Sequence, residues 1–236
     1  MPAQPDSVAT GSFKIGRVFG RIFGILGPNA ITIIALIALA AIPERTIVHL
    51  IGFDSKHLDI ASKTTLTLSG LALQLAMMRL ALNAFAGGRA SFGECVWQAI
   101  RSYLPVIAMG ALALLPLVVA TLLFAVPGAM LATAWTVTMP VRVAEDAGIF
   151  ACFTQSAALT RGHRWKIMGT FLLLGVLLAF PILALQPLWG VPLAAHAQFF
   201  AENWLVRLIF YAACGLLLAS VYFELRQSAG NGFRNA

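Results

Sequence analysis

The densest chemistry in the sequence is a six-residue run, Arg161-Gly162-His163-Arg164-Trp165-Lys166, in which four side chains can carry positive charge and one is an indole. Cations at this density suit phosphate oxygens, which an arginine meets with two parallel N–H donors and a lysine meets as a point charge. Trp165 adds an amphipathic ring of the kind that settles at headgroup depth, so the run is a candidate seat for an anionic phospholipid headgroup. The competing explanation is ordinary topogenic charge, which orients a membrane protein and binds nothing. A second set, Lys14, Arg17 and Arg21, recurs at i, i+3 and i+7 on one helical face, with Ile15, Val18, Ile22 and Leu26 on another. That pattern describes an amphipathic helix lying in the headgroup layer, or against other cytosolic elements, with its cations as an interfacial basic face. A third set, Arg142, Glu145, Asp146, Glu224 and Arg226, mixes both signs and is expected to act as a structural latch at one membrane surface.

Catalytic chemistry has no comparable footprint. The sequence contains no HExxH, no Walker loop, no nucleophile elbow and no paired metal ligands, and its four histidines are scattered. Cys95, Cys152 and Cys214 are an odd number at spacings that match neither a zinc site nor a redox pair, and are expected to be free thiols. The expectation is therefore a non-enzyme with no catalytic residue, metal or cofactor. Its expected partners are anionic membrane phospholipids of the cytosolic leaflet and not nucleic acid, with a protein partner or a second copy of the chain left open.

The elements that would carry these residues are membrane helices. Of 236 residues, 60% are apolar and only 11% charged, a composition unsuited to a water-exposed surface. Forty residues between Arg101 and Arg142 carry no charge; as one helix they would run about 60 Å, twice the hydrocarbon core. They must cross and return, with the reversal expected at Val126-Pro127-Gly128, which brings Arg101 and Arg142 to one side. The same reasoning gives six spans, at about 22–42, 64–85, 104–124, 128–143, 167–185 and 203–223, the fourth short for a full crossing. The fold class is thus an all-α polytopic bundle, residues 12–226, with the N-terminal amphipathic helix and a cytosolic interfacial helix between spans four and five. Residues 1–11 are expected to be a disordered lead and 227–236 a loose tail.

Finer signals accompany this layout. Ser12, Gly16, Gly20 and Gly24 form a small-residue stripe expected to admit a neighbouring helix. The stretch from Glu44 to Lys63 reads as a long polar loop. Ser91 and Glu94 form a capping box for a short helix to Tyr103, and Gly162 is placed for a left-handed helix stop. Aromatic residues between Gln186 and Asn203, including Phe199 and Phe200, are expected at a membrane surface. Twelve of the sixteen lysines and arginines fall on the side of both termini, leaving Arg45, Lys56, Lys63 and Arg207 opposite, so both ends are assigned to the cytoplasm of a bacterial inner membrane.

Several stretches carry a resemblance: SFKIGRVFGRIFGIL from Ser12 to Leu26, RASFGEC from Arg89 to Cys95, Val126 to Gly128, WTVTMPVRVAEDAG from Trp135 to Gly148, SAALTRGHRWK from Ser156 to Lys166, and VYFELR from Val221 to Arg226. In this order they resemble the bacterial six-helix membrane family related to the membrane domain of glycerophosphoryl diester phosphodiesterases. The resemblance implies the membrane part alone, since the phosphodiesterase chemistry of fused members belongs to a separate barrel domain. The chain departs from the pattern at Cys152 to Gln155, where relatives tend to carry an arginine before the serine, which thins any phosphate site. The functional expectation is a non-catalytic membrane protein whose basic cytosolic face engages anionic headgroups or a partner protein. The alternative is a small-molecule or lipid transporter using the bundle interior, with Gln74, Thr121, Thr133 and Thr136 as a thin polar lining.

Overall fold

The computed structural model describes residues 14–51, 56–88, 91–123, 125–189 and 204–234, and among these every regular element is an α-helix. They are α1 (Ile15–Leu26), α2 (Ala30–Ile51), α3 (Lys56–Phe85), α4 (Phe92–Leu123), α5 (Ala125–Trp135), α6 (Thr138–Glu145), α7 (Ile149–Leu159), α8 (Arg164–Trp189) and α9 (Trp204–Arg234). Three of them, α3, α4 and α9, are long and apolar enough to cross a membrane, and α1 with α2 adds a fourth candidate as a pair bent by 86°. Several long apolar helices of this kind mark an integral membrane protein. The expected lead at 1–11, Ser12 and the aromatic positions Phe199 and Phe200 lie outside the described residues.

The core is built on α3 and α9. In the most apolar window of α3, 67% of residues are buried inside the chain, against 11% for α4, so α3 is central and α4 peripheral. Leu75, Met77, Met78 and Leu80 of α3 and Leu208, Leu217 and Leu225 of α9 are fully enclosed. Two glycines allow the pair to approach. A Cβ on Gly215 would lie 2.6 Å from the Gln74 carbonyl oxygen, and one on Gly70 would enter the Tyr211 ring. Without a hydrophobic drive between helices in lipid, such backbone-level contact is the main source of association. The opposite surface of α4, with Leu104, Leu115 and Leu122 each more than 70% exposed, is hydrocarbon-like and requires apolar surroundings.

The small-residue stripe of α1 turns out unpacked: a Cβ added at Gly16, Gly20 or Gly24 would meet nothing within 4 Å. The helix instead buries Val18 and Ile25, because its apolar face and not its glycine face is turned to the bundle. The third close glycine is Gly128, whose Cβ would come within 2.5 Å of Thr121 Oγ1, so the returning chain of the charge-free segment packs tightly on α4. Val126-Pro127-Gly128, expected as the reversal, belongs to the first turn of α5, which begins at Ala125. That is where a proline is tolerated, its missing N–H being unpaired in any first turn.

Five further differences concern continuity. The first apolar span starts afresh at Ala30, after a Gly27-Pro28-Asn29 turn, and does not continue from Ile22. The polar stretch from Glu44 is largely helical, as the ends of α2 and α3 extend to Ile51 and back to Lys56. The short helix capped at Ser91 runs uninterrupted into the third span through Pro105. The tail is helical as far as Arg234, since polar residues beyond a span can propagate a helix already nucleated. The fourth span, 128–143, is not one helix but is interrupted at Thr136 and Val137, leaving α5 only about 16 Å long.

Candidate functional site

Helix α9 leaves the bundle with two polar faces, set by its own periodicity. Ser220, Glu224 and Gln227 follow at i, i+4 and i+7 toward α1, while Tyr222 and Arg226 at i and i+4 turn toward α6. On the first face Glu224 is 1% exposed and receives Arg17 Nη2 at 2.7 Å and Arg21 Nη1 at 2.8 Å. Arg21 also donates to Gln227 Oε1 at 2.5 Å and lies over the Phe223 ring at 5.1 Å, and Ser220 Oγ donates to the Val18 carbonyl at 3.0 Å. The Lys14 backbone N–H approaches Glu224 Oε1 at 3.4 Å. Two cations of the interfacial basic face are therefore spent on a buried carboxylate, because an unpaired Glu224 at that depth would cost several kcal/mol.

On the second face Tyr222 donates its hydroxyl proton to Glu145 Oε1 at 2.6 Å, and Arg226 forms an ion pair with the same oxygen. Burial by itself would raise the Glu145 carboxyl. The Tyr222, Arg226 and Gln155 hydrogen bonds and the Arg226 charge outweigh it, so the group is held below the ordinary carboxylate range. One residue on, Asp146 stops α6 in a left-handed conformation, φ 50°, and bridges Arg101 at 2.5 Å and Arg142 at 3.1 Å. Arg142 Nη1 completes the corner by donating to the Asp146 and Ala147 carbonyls at 3.0 and 2.7 Å. Arg101 and Arg142 thus meet on one carboxylate, as a there-and-back passage between them demands. The five mixed-sign residues do not form one cluster: Glu145 with Arg226 and Asp146 with Arg142 stand together at α6, whereas Glu224 faces α1.

The run 161–166 is organised differently. Thr160 N–H donates to the Ser156 carbonyl at 3.0 Å, Gly162 takes φ +81° as the left-handed stop, and α8 starts at Arg164. Arg161 and Lys166 are exposed, Trp165 is 64% exposed, and His163 Nδ1 lies 3.3 Å from the Arg161 carbonyl oxygen. Every carboxylate whose side chain is described is engaged elsewhere. Glu145, Asp146 and Glu224 hold the arginines above, and Glu94 closes the capping box, accepting the Ser91 N–H at 2.9 Å while Ser91 Oγ accepts the Glu94 N–H at 3.2 Å. No carboxylate among the described residues is within ion-pair distance of Arg161, Arg164 or Lys166.

The break between α5 and α6 is the feature that sequence reasoning missed. Ending a helix inside a bundle leaves its last carbonyls without intrahelical partners. Here all four are met: Ala132 O by Thr136 Oγ1 at 2.9 Å, Thr133 O by Thr136 N–H at 3.4 Å, Ala134 O by Ser156 Oγ at 2.7 Å, and Trp135 O by Thr138 Oγ1 at 2.8 Å. Ser156 and Thr160, both fully buried, turn the polar side of α7 inward, and Phe150 is 75% exposed. The helix is docked on the break by its hydroxyls, with Trp135 edge-on to Phe153 at 5.0 Å. The break also opens a cavity of about 460 Å³ lined by Gln74, Thr133, Thr136, Thr138, Met139, Met168, Phe171, Leu218 and α5 residues. Gln74, Thr133 and Thr136 of the expected polar lining border this mostly apolar cavity, and Thr121 is not part of it.

Among the described residues no three His, Cys, Asp or Glu side chains converge on a metal-sized site, and all three cysteines are free thiols. Burial pushes the Cys152 thiol up, Arg142 opposing only in part, which disfavours the thiolate. No family model, curated protein or solved structure matches the chain.

Proposed function

We propose that the protein is a non-catalytic six-span protein of a bacterial inner membrane, with both termini cytoplasmic, whose Arg161-His163-Arg164-Trp165-Lys166 run binds the headgroups of anionic phospholipids. The resemblance to the six-helix family supports the span count, and the paired arginines at the α6 corner support a shared side for Arg101 and Arg142. One observation carries the lipid reading: the described carboxylates are all committed elsewhere, so Arg161, Arg164 and Lys166 keep their positive charge for an external anion. Charge needed only for orientation could equally be paired, as it is at Arg17 and Arg226. An exposed indole among cations adds the depth preference of the interface.

The test is lipid retention. Protein purified from membranes is exchanged into mixed phosphatidylcholine and phosphatidylglycerol, and the anionic share of its bound lipid is measured by mass spectrometry. Removing Arg161, Arg164 and Lys166 together, each to Gln, should lower the preference for phosphatidylglycerol by about fivefold per charge. An unchanged lipid ratio would leave the run with an orienting role alone.

A further inference from the structure

The cavity beside the α5–α6 break serves neither the ionic pairs nor the cationic run, and the case for it stands whether or not the run binds phosphate. We propose that it binds a neutral long-chain amphiphile, a hydrocarbon tail bearing one hydroxyl, ester or protonated carboxyl group, with the Gln74 carboxamide as the partner of that group. The volume, about 460 Å³, is in the range of about 300 to 1,000 Å³ typical of ligand sites.

Gln74 is the pointer to a ligand. It is 9% exposed, lies near the middle of the central helix, lines the cavity, and its carboxamide has no hydrogen-bond partner among the described residues. An amide that borders a mostly apolar space without a partner is costly, and a ligand's polar group would answer it. The hydroxyls around it donate elsewhere: Thr133, Thr136 and Thr138 each spend their proton on a carbonyl three or four residues back, at 2.9, 2.9 and 2.8 Å, so none donates to the Gln74 carboxamide oxygen. Gln74 brings two N–H donors and a carbonyl acceptor to the cavity wall.

The walls select the rest of the molecule. Among the described residues no charged side chain lines the space, so an ion entering it would lose its hydration without compensation. Water alone fits poorly, because each ordered water needs two to four polar partners and most of the lining is Met139, Met168, Phe171 and Leu218 with alanines. A plain hydrocarbon would fill the walls and leave Gln74 unmet. A tail with a single polar group satisfies both.

The experiment uses the full chain in phosphatidylcholine nanodiscs, with Trp97, Trp165, Trp189 and Trp204 changed to Phe so that Trp135, on the cavity wall, is the sole indole. The probes are 11-bromo-1-undecanol and 1-bromoundecane, which differ only in the hydroxyl. Saturable quenching of Trp135 by the bromoalcohol is expected, with half-saturation about fivefold weaker in Gln74→Leu, the loss of one hydrogen bond. The bromoalkane should show no such difference between the two proteins. Equal quenching by both probes that ignores Gln74→Leu, or quenching that never saturates, would overturn the proposal by showing that Trp135 meets only bulk lipid. If Gln74→Leu does not yield folded protein, Ala132→Phe, which occupies the cavity from α5, is read in its place. Loss of saturation then supports the site and persistence overturns it.

Discussion

Two sets of cations on this chain are treated in opposite ways. Arg17 and Arg21 converge on Glu224, which is almost completely buried, and their guanidiniums are tied to α9 by an ion pair, an amide and a ring. Arg161, Arg164 and Lys166 stand at a turn and the start of a helix with no described carboxylate in reach. The difference teaches that positive charge near a membrane surface cannot be assigned a role from its density. What separates assembly from surplus is whether a distant segment contributes an acid.

The comparison can be broken most severely at Glu224. Glu224→Lys should place a third cation between Arg17 and Arg21 and cost about 3 kcal/mol, moderated because Arg17 is half-exposed. In a thermal-shift assay that corresponds to a fall of about 6 to 12 °C in Tm. Melting unchanged from the parent would show that α1 is held by its apolar face alone. The capped break should be the next most sensitive point. Ser156→Ala removes the closer donor to Ala134 O and should cost about 1 to 2 kcal/mol, with Thr160 at 3.4 Å recovering part of it. Amide exchange at Val137 and Thr138 would rise in that variant if α7 secures the break.

Acidification sharpens the contrast further. The Glu145 carboxyl is depressed in the folded protein relative to its ordinary value of 4.5. Its contribution to stability is therefore fully present above about pH 4.5 and is lost as pH falls through the lower folded value. Glu145→Gln should flatten that part of the Tm against pH profile without changing the plateau near neutrality by more than about 1 kcal/mol. The smallest effect belongs to the surplus set: changing Arg161, Arg164 and Lys166 to Gln should alter thermal stability by no more than about 0.5 kcal/mol. A large drop in Tm would mean that the run supports the fold and would remove the contrast with Glu224.

The all-helical character and several local features were legible because they depend on local chemistry. The charge-free length from 102 to 141 demanded a hairpin, and Ser91 with Glu94 satisfied a capping pattern that needs only four consecutive positions. Gly162 stood where a helix needed a left-handed residue. The pairing of Arg17 and Arg21 with Glu224 spans about two hundred residues, and no periodicity within either helix identifies the partner. The break at Thr136 was hidden for a different reason. Threonine bonds to the carbonyl three or four residues back in intact and interrupted helices alike, so the sequence TVT carries no unambiguous stop. Glycine spacing misled on α1 because a smooth stripe permits contact but does not supply the neighbour. The contacts at Gly70 and Gly215 involve isolated glycines with no stripe to announce them.

Gln74 belongs to two places at once. Its carbonyl oxygen touches the seam where Gly215 lets α9 lie against α3, and its side chain faces the void behind α5. A methyl group at position 215 would wedge that seam apart and shift the carboxamide along with it. The tightness of one helix crossing thereby sets the aperture around a polar group elsewhere, which makes a backbone-to-backbone contact a tuning screw for whatever occupies the interior.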